Sequence, residues 1–345
     1  MQHQAVKDFL SNSDEHPIID VRSPAEFEKG HIPGAHNIPL FSNDERAQIG
    51  KTYKHQGKDL AVKEGLKIVG PRMAAMVDQI ENINPGKDLR IYCWRGGMRS
   101  SSVAWLFETS GYRCTLLEGG YKSYRGLMSS IFEELDIILI GGETGSGKTE
   151  VLQELKKLGE QTIDLEDLAN HKGSAFGSVG MPEQPSNEHF QNLVIEEFLK
   201  LDPKTRIFVE DESANIGKVF LPEELWLKMK GSPVIQLSID LEARVNRLVK
   251  DYGNNDKEEL KSCILKIERK LGGQNVKAAI EHLGSGDLVS VARLLLYYYD
   301  KSYRFQLERK KSRIISRIES EEGHPKTLAV NIINKMGSEV LHGSN

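Results

Sequence analysis

Short apolar runs separated by turn residues dominate the first third of the chain. His16–Val21 (HPIIDV) reads as a strand, Pro24–Lys29 as a short helix, and Gly30–Pro39 as a loop with two Pro-containing turns. Between Asn43 and Ile83 the pattern is helical, with breaks at Gly57 and Pro71. Leu89–Tyr92 and Tyr112–Leu117 read as strands, with a helix over Arg99–Glu108 between them. Tyr121–Glu134 carries little strand signal and reads as a connecting helix or linker. Asp136–Ile140 then opens a second alternation. It continues with a Gly-rich loop, a helix from Lys148, and strands near Thr162–Leu165, Arg206–Val209 and Val234–Ile239. Strands alternating with helices predict parallel α/β sheets. From about Leu241 onward the pattern becomes helical. The expectation is an α/β chain of two domains, residues 1–128 and 135–345, the second ending in a helical portion from about 241.

Composition agrees with that division. At about 150 residues per domain, 345 residues suit two domains. With 39% hydrophobic and 28% charged residues the chain can build more than one core. No run approaches the ~18 apolar residues of a membrane helix, so no membrane partner is expected. The N-terminal MQHQAVKDFL lacks the basic start, apolar middle and small-residue cleavage site of a signal peptide. Three cysteines without a CxxC pair exclude a disulfide scaffold and give no zinc signature. A cytoplasmic protein with reduced thiols is expected. The net charge of −4 argues weakly against a nucleic-acid partner, but it is unevenly spread. From Leu241 onward 19 basic residues face 14 acidic ones, whereas the first 240 residues carry 27 and 36. Such asymmetry calls for a local partner surface.

Gly142 to Thr149 reads GETGSGKT, with an apolar strand before it and a helix after it. This is the phosphate-binding loop pattern in its required context. Gly142, Gly145 and Gly147 let the backbone turn tightly, so that amides from Glu143, Thr144 and Ser146 can point at an anion. The helix N-terminus adds partial positive charge. Lys148 supplies a point charge for outer phosphate oxygens, and Thr149 a magnesium ligand. RIFVEDES (Arg206–Ser213) ends an apolar strand with Glu210, Asp211 and Glu212. Asp211 is the first candidate for a Mg2+-linked carboxylate; an ordinary solvated strand end is the competing reading.

A second loop carries different chemistry. Cys93 opens CWRGGMRS directly after a strand and before a helix. Gly96 and Gly97 allow the loop of Trp94, Arg95, Met98 and Arg99 to curl its amides toward the sulfur, a cradle for a thiolate or a persulfide. Arg95 and Arg99 add positive charge. Cys114, on an apolar strand, and Cys263, in a helix, read as buried hydrophobes.

Cys93, Gly96 and Arg99 fit the C-x-x-G-x-x-R active loop of rhodanese-type sulfurtransferases, which roughly the first 125 residues resemble. DVRSPAEFEKGHIPGAHNIP (Asp20–Pro39) resembles the two signature segments of that domain. The resemblance makes Asp20, Arg22 and Gly30–Ala35 fold-supporting, His31 among them. A rhodanese domain joined to a GETGSGKT domain, together with YCWRGGMRSSS, LANHKGSAFG (Leu168–Gly177) and Gln184-Pro185, resembles the bacterial tRNA 2-selenouridine synthase family over nearly the whole chain. That resemblance implies a rhodanese-like parallel-sheet domain followed by a P-loop NTPase-like domain. It implies replacement of sulfur by selenium in wobble 2-thiouridine, with selenophosphate as donor. It also implies S-geranylation from geranyl diphosphate, a selenophosphate supply enzyme as partner, and the anticodon loop as target. A thiocarbonyl sulfur leaves poorly until it is alkylated, so one chain would need both a diphosphate loop and a chalcogen-handling cysteine.

A site for tRNA is sought in the basic portion. Tyr297 to Arg317 reads YYYDKSYRFQLERKKSRIISR, with seven basic residues against Asp300 and Glu308. Arg304, Arg309, Lys310, Lys311 and Arg313 are the candidate phosphate contacts, with interleaved aromatics for stacking on loop bases. A solvated helix packing its tyrosines on a core is the plainer reading. Arg269-Lys270 with the turn Leu271–Gln274 is a weaker second surface, and His171, Lys172 and Ser174 are candidates to line the substrate pocket. Two further functions remain open: a rhodanese-type sulfurtransferase with a regulatory nucleotide-binding P-loop domain, and a P-loop NTPase that uses the first domain as a binding module.

Overall fold

A computed structural model describes residues 1–11, 16–83 and 86–342. The chain forms two compact units. The first is Met1–Ser130 with Ser186–Glu196; the second is Ile131–Pro185 with Glu197–Asn345.

The first unit has five strands, β1 (Gln2–Gln4), β2 (Ile18–Asp20), β3 (His36–Asn37), β4 (Asp88–Tyr92) and β5 (Arg113–Leu117). All pair in parallel, in the order β1-β5-β4-β2-β3. The central strands are buried on both faces, as a parallel sheet covered by helices requires. The connecting helices are α1 (Val6–Leu10), α2 (Pro24–Lys29), α3 (Asn43–Gln56), α4 (Lys58–Val69), α5 (Met73–Ile83), α6 (Met98–Thr109), α7 (Gly120–Gly126) and α8 (Met128–Ile131). Local sequence sets their starts. Ser23 and Ser42 each close a capping box with the Glu three residues later, and Pro24 takes the first helical position of α2. Ile19, Ile38, Ile91, Phe107 and Leu116 fill the core.

The second unit has β6 (Ile137–Gly142), β7 (Gln161–Ile163), β8 (Ile207–Glu210), β9 (Asn215–Ile216), β10 (Val219–Phe220), β11 (Val234–Ile239) and β12 (Ile314–Ser320). The main sheet is parallel, in the order β12-β11-β6-β8-β7; β9 and β10 form a small antiparallel pair. The remaining helices are α9 (Lys148–Lys157), α10 (Leu165–Leu168), α11 (Asn187–Leu199), most of which belongs to the first unit, α12 (Glu223–Gly231), α13 (Leu241–Tyr252), α14 (Lys257–Lys266), α15 (Glu268–Leu271), α16 (Gly273–Ser285), α17 (Leu288–Lys310) and α18 (Pro325–His342). The C-terminal portion is not helical throughout. Ile314–Ser320 runs as a strand beside β11, because β11 offers an edge to pair with, and the more and less exposed positions alternate along it. Two of its apolar cores bear on the site. One joins α9 and α18 to the sheet through Leu152, Phe208, Leu237 and Leu328. The other joins α14–α17 to Phe176 and Val179.

Candidate functional site: two anion-cradling loops

In the first unit, β4 ends at Tyr92 and delivers Cys93, 3% exposed, into the loop before α6. Two turns interlock there. Tyr121 N donates to Cys93 O at 2.9 Å and Lys122 N to Trp94 O at 3.0 Å. Gly96 has φ +64°, and a Cβ on it would lie 2.6 Å from Leu117 O; one on Gly120 would strike Cys93 O. Only glycine permits this approach. Cys93 Sγ lies 3.2 Å from Ser100 Oγ, which donates to Gly97 O at 3.0 Å. Trp94 packs its ring on Tyr121. Arg95 and Met98 are exposed, and Gly97 caps α6. Arg99 does not add free charge to the loop: its guanidinium pairs with Glu26 at 3.0 Å. Burial pushes the Glu26 carboxyl up, but Arg99, the Ser23 amide and Arg46 together hold it below its usual range.

Beneath the loop sits the buried pair Asp20–Arg22, with Arg22 Nη2 2.6 Å from Asp20 Oδ2 and 2.7 Å from Gly30 O. Burial opposes the guanidinium charge, and Asp20 outweighs it. His31 stacks on Phe27 at 3.7 Å and lies 4.1 Å from the ring of His189. Burial, then the neighbouring His31, draws His189 down to about 4. His189 comes from a distant stretch of chain, and no motif marks it.

In the second unit, Gly142–Thr149 links β6 to α9. Gly145 and Gly147 take φ of +76° and +81°. A Cβ on Gly142 would strike Ser146 Oγ, which is itself buried without a partner. Glu143 faces Arg244 at 3.6 Å, and Thr144 O accepts from Arg244 at 3.4 Å. Arg247 donates to Gly145 O at 2.7 Å. Arg244 is fixed by Asp300 at 2.7 Å. These two arginines, three apart on α13, brace the loop from behind. Sequence reasoning missed them, although their spacing on a helix following a core strand is a readable signal.

The carboxylates sort themselves by geometry. Glu210 is fully buried and accepts from Leu165 N at 2.7 Å; burial pushes its carboxyl far up. Asp211, the expected metal-linked residue, is instead ion-paired with Lys310 at 2.6 Å. Glu166 and Glu212 are the pair that faces Lys148. Burial raises Glu166 to about 8, with Glu212 adding to the rise and Lys148 opposing it. Burial pulls the Lys148 ammonium down, but Glu212 and Glu166 outweigh it and the net direction is up. Thr149 Oγ1 donates to Glu166 Oε2 at 3.3 Å. Among the described residues no three His, Cys, Asp or Glu side chains form a preformed metal site. Thr149 and Glu166 nevertheless fit a divalent cation. Both are hard oxygen donors at the phosphate end, and a cation would discharge the proton that burial holds on Glu166.

A cavity of about 700 Å³ opens from this loop. Its polar end holds Lys148, Thr149, Glu166, Glu212, Lys172 and Ser174. The core of α14–α17, which holds no residue of the loop, supplies Phe176, Leu260, Ile264, Ile267, Leu283 and Leu295 to its lining. His171 does not line it; its ring is buried against Gly177 and Gly217.

The basic segment splits in two. Lys310 is taken by Asp211, and Arg313 Nη1 donates to Met229 O at 2.9 Å and Ser232 O at 3.0 Å. Arg304, Arg309 and Lys311 are exposed. Arg309 lies over the exposed Phe305 ring at 4.6 Å, and Tyr297, a little over two turns before Phe305, is 75% exposed. Lys311 faces the exposed Glu308 at 3.9 Å.

Two family profiles match: "tRNA 2-selenouridine synthase AAA domain" over residues 135–326 and "Rhodanese-like domain" over 3–127. A tRNA 2-selenouridine synthase of Bdellovibrio bacteriovorus is 37% identical, covering 89% of this chain and 93% of that protein. The synthase of Bordetella petrii is 35% identical over 87% of this chain and 89% of its own length. That of Shewanella denitrificans is likewise 35% identical, over 87% and 90%.

Proposed function

The chain belongs to the tRNA 2-selenouridine synthase family, a tRNA-modifying enzyme family, and we propose that it exchanges sulfur for selenium in wobble 2-thiouridine by way of a prenylated intermediate. The observation that carries the intermediate is the cavity: a phosphate loop at one end and an apolar wall at the other suit a diphosphate ester of a hydrocarbon chain, geranyl diphosphate, better than a nucleotide. In the first step the thiocarbonyl sulfur attacks C1 of the geranyl group. The C1–O bond breaks, pyrophosphate leaves, and uridine N3 releases its proton. Lys148 and the loop amides stabilise the departing charge. Mg2+, when bound at Thr149 and Glu166, supplies further positive charge to the diphosphate.

In the second step selenium derived from selenophosphate, whose phosphoryl group passes to water, adds at C2. The C2–S bond breaks, geranylthiolate leaves, and the hydroselenide proton passes to N3. Cys93 serves this step, either by carrying selenium or by activating the bound intermediate. Tyr297, Lys301, Arg304, Phe305 and Arg309 share one exposed face of α17, and this stripe supports a contact with phosphates and bases of the anticodon arm.

The test is mass spectrometry of wobble nucleosides after 2-thiouridine tRNA meets the protein, geranyl diphosphate and selenophosphate. Cys93→Ala should accumulate S-geranyl-2-thiouridine, and Lys148→Ala should form neither product. The reading is overturned if Cys93→Ala abolishes geranylation or Lys148→Ala leaves it intact.

A further inference from the structure

We propose that Leu260, Ile264 and Leu283 form a wall that sets the length of the hydrocarbon chain the enzyme accepts. The inference rests on the prenyl-diphosphate reading of the cavity. A diphosphate anchored at Gly142–Thr149 fixes one end of its ligand, so the chain can only extend away from the loop. The order of the apolar layers gives the direction. Next to the loop, Leu248 lies 3.3 Å from where a Cβ on Gly145 would sit, and it packs with Val245, Ala292 and Leu296. Leu260, Ile264 and Leu283 belong instead to the core of α14–α17, which receives no side chain from the loop or from α9. They are 5%, 0% and 3% exposed, and they are the residues by which α14 and α16 reach the cavity. They therefore close its far side.

The three side chains of the wall are apolar, and Lys270 of α15, which also lines the cavity, is exposed. Among the described residues, the buried polar atoms lacking a partner include Ser146 Oγ at the phosphate end and none from α14–α17. The Tyr299 hydroxyl accepts from Ala175 N at 3.3 Å. A hydrocarbon offers no hydrogen bonds either. Discrimination between chains that differ by one five-carbon unit must then be by volume, where each misfit methylene changes kcat/KM by about tenfold or more.

The experiment compares dimethylallyl, geranyl and farnesyl diphosphates as donors to 2-thiouridine tRNA, read by mass spectrometry as kcat/KM ratios. Leu283→Ala should raise the farnesyl-to-geranyl ratio by about tenfold or more, and Leu283→Phe should raise the dimethylallyl-to-geranyl ratio similarly. Thermal melting and tRNA affinity check that both variants fold. If either does not, Ile264→Val, which removes one methylene, should move the farnesyl ratio in the same direction by less. Ratios within twofold of the unaltered protein, while geranyl transfer continues, overturn the wall. An unaltered protein inert to all three donors overturns the prenyl reading itself, and the wall with it.

Discussion

A hydroxyl has one proton, and Ser100 directs its proton at Gly97 O. Its oxygen also lies 3.2 Å from Cys93 Sγ, so one hydroxyl ties the sulfur to the turn that starts α6. Ser100→Ala removes both contacts and should slow the exchange of sulfur for selenium by about tenfold while geranylation continues, read by mass spectrometry of the wobble nucleosides. An unchanged exchange rate would leave Ser100 a packing residue. Glu166 offers a second residue-scale test. Burial raises its carboxyl from 4.5 to about 8, so the folded chain holds a proton there that the unfolded chain has released. The stabilisation is fully present below about 4.5 and is lost as pH rises toward about 8. Glu166→Gln, which cannot ionise, should flatten the fall in melting temperature over that window. A fall as steep as in the unaltered protein would exclude Glu166 as its source.

At the scale of elements, most of both sheets was legible because buried parallel strands are unbroken apolar runs bounded by turns. β4, β5, β6, β8 and β11 all announce themselves this way. β12 did not: Lys310-Lys311-Ser312-Arg313 continues the charge run of α17, and only pairing with β11 turns the following residues into a strand. The site was legible where chemistry is local in sequence, as in the Cys93 and Gly142–Thr149 loops. It was illegible where partners come from afar, as with His189 and Glu166, or where a cation is already spent, as with Lys310 and Arg313. The basic segment therefore makes a divided prediction. Lys301→Ala/Arg309→Ala should weaken tRNA binding and reduce its logarithmic salt slope by roughly 0.7 for each lost single-strand phosphate contact. Arg313→Ala should leave that slope unchanged. It should instead lower stability by about 1–3 kcal/mol, because Ser232 O loses the guanidinium donor and Met229 O is left with the Ser232 N–H. A slope altered only by Arg313→Ala would reverse the assignment.

For the whole molecule, the net charge of −4 conceals an acidic first part and a basic last one, and chain order similarly conceals how the units are composed. Ser186–Glu196, the start of α11 and the residue before it, belongs to the first unit although 55 residues of the second precede it. The reason is a buried polar network. Asn192, 0% exposed, donates to Tyr121 Oη at 2.6 Å and to His31 O at 2.8 Å, and accepts from Arg125 at 2.7 Å. Tyr124 Oη donates to Asn192 O at 3.1 Å, and Arg125 also donates to Gln191 Oε1 at 2.6 Å. Gly30 is small where Glu188 passes: a Cβ there would lie 2.9 Å from Glu188 Cγ. Cutting the chain after Ser130 strips partners from Arg125, Tyr121 and Tyr124 at once, and each buried group left unpaired costs about 1–3 kcal/mol. Residues 1–130 alone should thus melt well below the first transition of the full chain. A peptide spanning 186–199 added in trans should restore part of the difference, and the same peptide with Asn192→Ala should not. A fragment that melts at the full-chain temperature, or a peptide without effect, would show that the network decorates a unit already complete.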